Sequence, residues 1–301
     1  MLLYVLESKG SSPGRQGFFM AVNANGVMEG SVGGGIMEHK FVELAKEKLT
    51  SGGQELGVKK QVHDKSAANN QSGMICSGEQ TILLHTVQQK DTNIIQKIIL
   101  SLEQNKNGTL TLSPERIYFD DSLPEKDTEY IFYSENNWLY KEKIGYKNKL
   151  SIIGGGHCSL ALSHLMNSMD FYISIYDDRK DLKTLLENNA AHEKHFLNNY
   201  TELSRLISSG SNHYVVIMTL GYRSDDIALR TLLDKDFAYI GVLGSKNKME
   251  KLFADYKRNG INDAVLQKVY TPIGLAVKSQ TPEEIAVSIA AEIIKVKNQG
   301  C

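Results

Sequence analysis

The sequence has few cysteines, little net charge and no long hydrophobic run, and each absence narrows the class of protein. Its three cysteines, Cys76, Cys158 and Cys301, stand far apart among 301 residues, which excludes a disulfide framework and fits a reducing compartment. The formal net charge is -1, so a basic surface for nucleic acid is not expected. No apolar run approaches the roughly 20 residues that span a bilayer.

The opening segment MLLYVL is predicted to be a strand rather than a secretion signal, because Glu7 and Lys9 end it at once. Hydrophobic residues make up 41% of the chain and charged residues 23%, which is the balance of an ordinary globular protein. A chain of this length can form two domains. We therefore expect a soluble, cytoplasmic protein with two domains.

The first half of the chain mixes short strands and helices. Asn25-Gly26 is a strong turn pair and predicts a hairpin between residues 18–23 and 27–32. Apolar side chains at helical spacing predict a helix over residues 37–49. Other segments predict a helix at 92–104 and strands at 2–7, 81–87, 108–112, 116–120 and 129–134. This pattern indicates a mixed α+β domain.

The pattern changes after the polar segment KEKIGYKNK, residues 141–149, and we place a boundary there between domains 1–145 and 146–301. Short apolar runs then alternate with helical segments, as expected of strands buried on both faces of a parallel sheet. The predicted strands are 150–153, 171–176, 214–219, 239–243 and 269–270. A final helix is predicted to begin with a capping box between Thr281 and Glu284. The sequence thus predicts an α/β protein, with a C-terminal Rossmann-like parallel sheet domain and an N-terminal α+β domain.

Candidate ligand-binding residues follow the strands of the second half, at the sheet edge where ligands of such folds bind. Gly154 and Gly156 match a dinucleotide fingerprint in part, since its third glycine falls at Ser159. Such glycines let backbone N–H groups approach a phosphate, although a tight strand-to-helix turn is the alternative. The other candidates are His157 after the first strand, Asp177, Asp178 and Arg179 after the second, and Gly244, Ser245 and Lys246 after the fourth.

Asp177 lies 23 residues beyond Gly154, which is close to the spacing of about 20 expected of an acid that binds ribose. The alternative to ligand binding is that Asp177 and Asp178 are solvated carboxylates that cap the next helix. In the first half, a second glycine-rich turn, residues 33–35, precedes a helix with Glu38 in its first turn. This turn is a potential anion cradle, or only a tight turn with close packing.

Cys76 lies in the segment NNQSGMICSGEQ, which is polar and flanked by glycine. Most lone cysteines are small buried hydrophobes. This context instead favours an exposed thiolate, which can act as a nucleophile or as a ligand for a soft metal.

Several stretches taken together resemble the XdhC/CoxI family of xanthine dehydrogenase accessory factors. They are GSVGGGIMEH, GMICSGEQ, SIIGGGHCSLAL with YDDR, VIMTLGYRSDD, AYIGVLGSKNKMEKL and PIGLAVKSQTPEEIAVSIAAEII. The resemblance runs to about residue 297 and is weakest between about 90 and 145. It implies an N-terminal XdhC/CoxI domain and a C-terminal Rossmann-like domain.

The resemblance also implies a role as a chaperone rather than as a dehydrogenase. Such proteins bind the molybdenum cofactor, support its sulfuration with a cysteine desulfurase and pass it to a molybdenum hydroxylase such as xanthine dehydrogenase. By position, the resemblance implies that Cys76 contacts molybdenum or sulfur. It further implies cofactor-binding roles for Gly33, Gly34, Gly35, Glu38, Gly154, Gly156, His157, Asp177, Asp178, Arg179, Gly244, Ser245 and Lys246.

Family likeness further implies a homo-oligomer. Ile36 and Leu220 stand where many members have cysteine and histidine.

Two other functions stay open from the residues alone. One is an NAD(P)-dependent oxidoreductase that uses the Rossmann-like domain, for which Asp177 would favour NAD over NADP. The other is a nucleotide-sensing module that docks on a partner.

Overall fold

The chain divides into two compact units, Met1–Gly145 and Tyr146–Cys301. The computed structural model describes residues 1–53, 56–62 and 78–299. The strands of the first unit are β1 (Leu2–Gly10), β2 (Phe19–Val22), β3 (Met28–Gly30), β4 (Leu56–Val62), β5 (Gly78–His85), β6 (Gly108–Leu112), β7 (Ile117–Asp120), β8 (Thr128–Ser134) and β9 (Asn137–Ile144). Its helices are α1 (Gly35–Thr50) and α2 (Thr92–Glu103).

Two antiparallel sheets form the first unit, in the strand orders β3-β2-β1-β5-β4 and β7-β6-β9-β8. In β1, Leu3 and Val5 share a core with α1, whereas Tyr4 and Leu6 share a second core with β6 and β9. This division arises because successive side chains of a strand point to opposite faces. Burial on both faces explains why β1 reads as a continuous apolar run.

The second unit is built on a parallel sheet. Its strands are β10 (Asn148–Ile153), β11 (Phe171–Asp177), β12 (Glu193–Phe196), β13 (Gly210–Ile217), β14 (Phe237–Val242) and β15 (Val269–Tyr270). Its helices are α3 (His157–Asn167), α4 (Lys183–Leu186), α5 (Leu203–Leu206), α6 (Tyr222–Leu232), α7 (Lys246–Arg258), α8 (Asp263–Leu266) and α9 (Pro282–Asn298). The strand order is β12-β11-β10-β13-β14-β15, with parallel pairing throughout. This is the order of dinucleotide-binding domains, and the direction of strand addition reverses at β10.

Apolar side chains cover both faces of the parallel sheet. Ile153 and Ile217 lie in the core formed with α6 and α7, whereas Ile152 lies in the core formed with α3 and α9. β-branched side chains pack well on such a pleated surface. At the start of α9, the Glu284 N–H donates to Thr281 Oγ1 at 3.2 Å and the Thr281 N–H donates to the Glu284 carboxylate at 3.3 Å, so the capping box forms.

The α/β fold class predicted from the sequence is confirmed, with a parallel sheet in the second unit and antiparallel sheets in the first. Strands β4, β9 and β12 were not predicted from the sequence. Part of the polar segment at the predicted domain boundary belongs to β9, where buried Trp138, Tyr140 and Glu142 alternate with more exposed neighbours. Within the described ranges, no helix is both long and apolar enough to cross a membrane.

Gly154 is the residue on which the turn from β10 toward α3 depends. Its φ is 109°, and a Cβ atom there would lie only 2.3 Å from the carbonyl oxygen of Met218. An L side chain is therefore excluded both by conformation and by the backbone of the strand-end loop beside it. Gly156, two residues later, has a φ of -74° and open space around its Cβ position.

We expect Gly154→Ala to destabilise the second unit by about 3 kcal/mol, because both the left-handed backbone and the contact with Met218 become unfavourable. The melting temperature followed by circular dichroism should fall by roughly 5–10 °C. Gly156→Ala is the matched control and should cost less than about 1 kcal/mol. Equal melting temperatures for the two variants would contradict this account of the turn.

Candidate functional site

The loops after β10 and β13 lie beside each other at the carboxyl edge of the parallel sheet. The Gly154 Cβ position is 2.3 Å from Met218 O and 3.0 Å from Thr219 Cα, so the two loops touch. The strand order reverses direction at β10, because β11 pairs with one side of β10 and β13 pairs with the other. A crevice at such a crossover is the usual ligand site of open parallel sheets.

The glycine loop presents the N-terminus of α3 at this edge. The Gly154 N–H donates to Tyr176 O at 2.8 Å, and the Gly155 N–H donates to Asp177 Oδ2 at 2.6 Å. Gly156 is the N-cap residue; of the described side chains, none caps α3, and its first turn contains no acidic residue. The first turn of α3 therefore combines N–H donors and a partial positive charge, which suit an anion.

The residues around the α3 N-terminus differ in exposure. His157 is exposed at the first position of the helix, and Cys158 is half-buried. Burial raises the pKa of the Cys158 thiol, and the nearby Glu283 carboxylate raises it further. Ser159, at the position of the third fingerprint glycine, is completely buried. A small residue there permits the close helix-to-strand packing that the glycine otherwise provides.

Asp177 is fully buried and holds the glycine loop rather than facing solvent. Its Oδ1 accepts hydrogen bonds from the Arg179 N–H at 2.8 Å and Nε at 2.9 Å. Its Oδ2 accepts from the Gly155 N–H at 2.6 Å and from Arg179 Nη2 at 2.7 Å. Burial alone raises the pKa of an aspartate, but these four hydrogen bonds outweigh it and lower the pKa of Asp177.

Asp178 and Arg179 complete the second strand end. The Asp178 side chain is exposed, and its Oδ1 accepts a hydrogen bond from Tyr200 OH at 3.0 Å. The Arg179 side chain is 32% exposed, and its guanidinium is held by the buried Asp177. The two adjacent aspartates therefore have different environments, although their sequence context does not separate them.

A second buried acid, Asp225, supports the loop after β13. Its Oδ1 accepts from the Thr219 N–H at 3.0 Å and the Thr219 hydroxyl at 2.6 Å, and its Oδ2 accepts from Lys248 Nζ at 2.7 Å. Asp225 was not among the residues predicted from the sequence. Helical spacing could have found it, because Asp225 shares the buried face of α6 with Ala228, Leu229 and Leu232.

The three candidate residues after β14 have capping, surface or packing roles. The Ser245 hydroxyl caps α7 by accepting from the Lys248 N–H at 3.4 Å. Lys246 is exposed and lies 3.8 Å from Glu250 in a surface ion pair, whereas Lys248 reaches the buried Asp225. A Cβ at Gly244 would crowd Met249 Sδ at 3.1 Å. Lys248 is thus the lysine that the structure brings to the strand ends.

The glycine turn of the first unit binds a carboxylate from the helix that follows it. Glu38 Oε2 accepts from the Ser31 hydroxyl at 2.6 Å and from the Val32 and Gly34 N–H groups at 3.0 Å. Partial burial raises the pKa of Glu38, but these hydrogen bonds outweigh it and lower the pKa. Gly33, Gly34 and Gly35 all have positive φ values, so the turn holds a carboxylate of the chain in the way expected for a bound anion.

Cys76 lies outside the described residues, as does Cys301. The structure therefore adds nothing to the predicted role of Cys76, which stays a prediction. Among the residues that are described, no group of three or more histidine, cysteine, aspartate or glutamate side chains could hold a metal ion.

Two family models match the chain. The model described as the XdhC Rossmann domain matches residues 150–293, and the one described as the XdhC and CoxI family matches residues 1–59. The first match begins in β10 and ends in α9, so it includes the glycine loop, both aspartates after β11, Asp225 and Lys248. The second match includes the glycine turn and Glu38.

Three similar proteins span nearly the whole chain. The uncharacterized protein YqeB of Escherichia coli is 22% identical over 98% of this chain, which spans only 43% of that relative. A Bacillus subtilis protein, described as a probable subunit of xanthine dehydrogenase, is 22% identical over 99% of this chain and 93% of its own. A crystal structure from Bacillus halodurans, described as a xanthine dehydrogenase, has a TM-score of 0.73 at 22% identity, covers 99% of this chain and 91% of its own, and shows the same fold.

We expect Asp177→Asn to lower the free energy of unfolding by about 2 kcal/mol at pH 7, because a buried charge pair with Arg179 is lost. The pKa of Asp177 is lower in the folded protein than the value of about 3.9 in unfolded chains, so the folded state binds fewer protons. The carboxylate's contribution is therefore complete above that unfolded value and is lost as the pH falls through the lower folded pKa.

The measurement is urea unfolding of wild type and Asp177→Asn between pH 3 and pH 7. The difference in the free energy of unfolding between the two proteins should stay constant above about pH 5 and become smaller below about pH 4. Asp178→Asn is the control at the exposed neighbour and should change stability little at any pH. If the difference in unfolding free energy for Asp177→Asn remains constant down to pH 3, the ionised Asp177 carboxylate does not stabilise the fold as described.

Proposed function

The chain belongs to the XdhC and CoxI family, and we propose that it is an accessory protein of a molybdenum hydroxylase of the xanthine dehydrogenase type. In this proposal it binds the molybdenum cofactor, supports sulfuration of the cofactor together with a cysteine desulfurase, and delivers it to the hydroxylase. The cofactor is cargo, and the chain supplies binding and positioning rather than turnover.

The observation that carries the proposal is the uncapped N-terminus of α3 at the crossover of the parallel sheet. The cargo is an anionic pterin that carries a phosphate group. Backbone N–H groups at a helix N-terminus bind phosphate without any positively charged side chain. A Cβ atom at Gly156 would meet no other atom within 4 Å, so the space beside the start of α3 is open to such a group.

The surrounding charges suit an anion that must later be released. Arg179 and Lys248 are each about a quarter to a third exposed, and each is already neutralised by a buried aspartate. Neither side chain therefore offers the phosphate a full unpaired charge. Binding that depends mainly on N–H groups is weaker than a clamp of free cations, which fits a protein that transfers its cargo.

Cys76 is the residue that we assign to the metal end of the cofactor. A thiolate is a soft ligand and matches molybdenum or the sulfur that is inserted. This assignment is supported by the sequence context and by the family resemblance, since the residue lies outside the described ranges.

An NAD(P)-dependent oxidoreductase is the second candidate, because the strand order of the second unit is that of dinucleotide-binding domains. The position of Asp177 weakens this candidate. Both of its oxygens accept hydrogen bonds from the chain, so it is not placed to select the ribose of NAD.

We expect Cys76→Ser to keep the fold and to lose productive loading of the cofactor. The variant and wild type are compared anaerobically for binding of molybdenum cofactor and for activation of a cofactor-free xanthine dehydrogenase. NADH binding is measured in parallel. Equal activation by the variant would refute the role of the thiol, and NADH binding without cofactor binding would favour the oxidoreductase.

We expect Gly156→Asp to weaken cofactor binding by roughly tenfold or more while α3 keeps or gains stability. The new carboxylate can cap α3 and satisfy the N–H groups that the phosphate would use. Gly156→Ala is the matched control, since its Cβ meets open space, and should bind within a few-fold of wild type. Unchanged cofactor binding by Gly156→Asp would place the phosphate elsewhere.

A further inference from the structure

Strand β8 lies at the edge of its sheet, and its outer side carries exposed aromatic residues. We propose that β8 pairs with β8 of a second copy of this chain, antiparallel, with Ile131 on the two-fold axis. The occupant of this edge is thus a second copy and not an unrelated protein. The inference goes beyond the proposed function and does not depend on the molybdenum cofactor as cargo.

One row of backbone groups in β8 is directed away from the sheet. In the order β7-β6-β9-β8, this strand pairs with β9 alone among the described residues. Just before β8 begins, the Lys143 N–H donates to Asp127 O at 2.9 Å. Hydrogen-bonded and non-hydrogen-bonded residues alternate along an antiparallel pair. Ile131 therefore bonds to β9, whereas Tyr130 and Phe132 direct their N–H and C=O groups outward.

The sequence of β8, TEYIFYS, lacks the common devices that block a free edge. Those devices include lysine or proline in the strand and a very short strand. β8 has seven residues and neither lysine nor proline, and its pairing with β9 is regular from Thr128 to Phe132. Phe132 is 52% exposed and Tyr133 is 73% exposed. This edge is therefore suited to take a further strand.

The other edge strands in the described ranges are protected. β4 carries Lys59 and Lys60 at its centre. β3, β7, β12 and β15 have only three, four, four and two residues. β12 also contains Glu193 and Lys194. The contrast indicates that pairing is prevented at these edges and permitted at β8.

The residues of β8 complement a second copy of themselves when Ile131 faces its own copy. Tyr130 then lies opposite Phe132 of the second copy, and these two outward residues exchange backbone hydrogen bonds. Aromatic pairs across strands are favourable. The symmetry repeats the pair on the other side of the axis, and the contact closes after two copies because each uses its one β8 edge.

The charge in β8 also fits this register. Glu129 is the one charged residue of the strand. It lies opposite the Tyr133 end of the second copy, so the two Glu129 carboxylates are separated by four residues along the strands, roughly 13 Å. An axis at Glu129 would instead place like charges directly opposite each other, which is unfavourable.

The first measurement is the mass of the full chain by sedimentation velocity between about 1 and about 100 µM, a range suited to a small interface. Wild type should shift from one copy to two. Ile131→Lys should weaken dimerisation roughly tenfold or more, because two lysines then meet at the axis. Tyr118→Lys, at an exposed tyrosine of the opposite edge strand β7, is the matched control and should dimerise like wild type.

A mixing experiment separates loss of the contact from loss of folding. Ile131→Lys and Ile131→Glu should each be monomeric, with circular dichroism like that of wild type. An equimolar mixture of the two should form a heterodimer, because opposite charges then meet at the axis. A mixture of the two folded variants that stays monomeric would refute the proposed axis.

Cysteine cross-linking tests the register with a smaller change. Under mild oxidation, Ile131→Cys should form a disulfide with its copy, because opposed residues of a non-hydrogen-bonded pair have Cα atoms about 4.5 Å apart. Tyr133→Cys is the matched control. Residue 133 lies roughly 13 Å from its copy in this register, so the variant should cross-link no faster than wild type with its native cysteines.

The inference is overturned if wild type stays monomeric at about 100 µM or assembles beyond two copies. It is equally overturned if Ile131→Lys dimerises as tightly as wild type, or if Tyr133→Cys cross-links faster than Ile131→Cys. None of these measurements uses the cofactor. Failure of the proposed function would therefore leave the dimer intact, and a monomeric wild type would leave the proposed cargo untouched.

Discussion

The buried carboxylate of Asp177 is the group on which the geometry of the candidate site depends. It is stable in the interior because Arg179 neutralises it; an unpaired buried charge would cost several kcal/mol. Through the Gly155 N–H it holds the glycine loop against the end of β11. The loop in turn sets where α3 begins, so the proposed anion site follows from one ion pair and a short glycine segment.

A similar arrangement supports the other side of the crevice. Asp225 is also buried, accepts the N–H of Thr219 in the loop after β13 and binds Lys248. Both loops at the crossover are thus held by an acid beneath them before any ligand arrives. Such preorganisation reduces the entropy lost on binding. It also explains why charged residues at this edge need not be ligand contacts.

The fold class could be predicted because strands covered on both faces have continuous apolar runs, which need no knowledge of tertiary partners. The roles of single charged residues could not be predicted from the sequence. Asp177 and Asp178 have the same charge and nearly the same spacing, and only their burial and their contacts in the folded chain distinguish them. β9 was missed for a related reason, since its buried Glu142 accepts hydrogen bonds from Tyr140 and from a tyrosine in β1 that is distant in sequence.

The most direct test of the central claim is a titration of the isotope-labelled protein with inorganic pyrophosphate, followed through its backbone amide signals. Pyrophosphate offers phosphate oxygens like those of the proposed cargo, without its pterin or metal. The account predicts that the largest shifts occur at His157, Cys158 and Ser159, in the first turn of α3. Shifts confined to the turn at residues 33–35, or no saturable shift at α3, would contradict it.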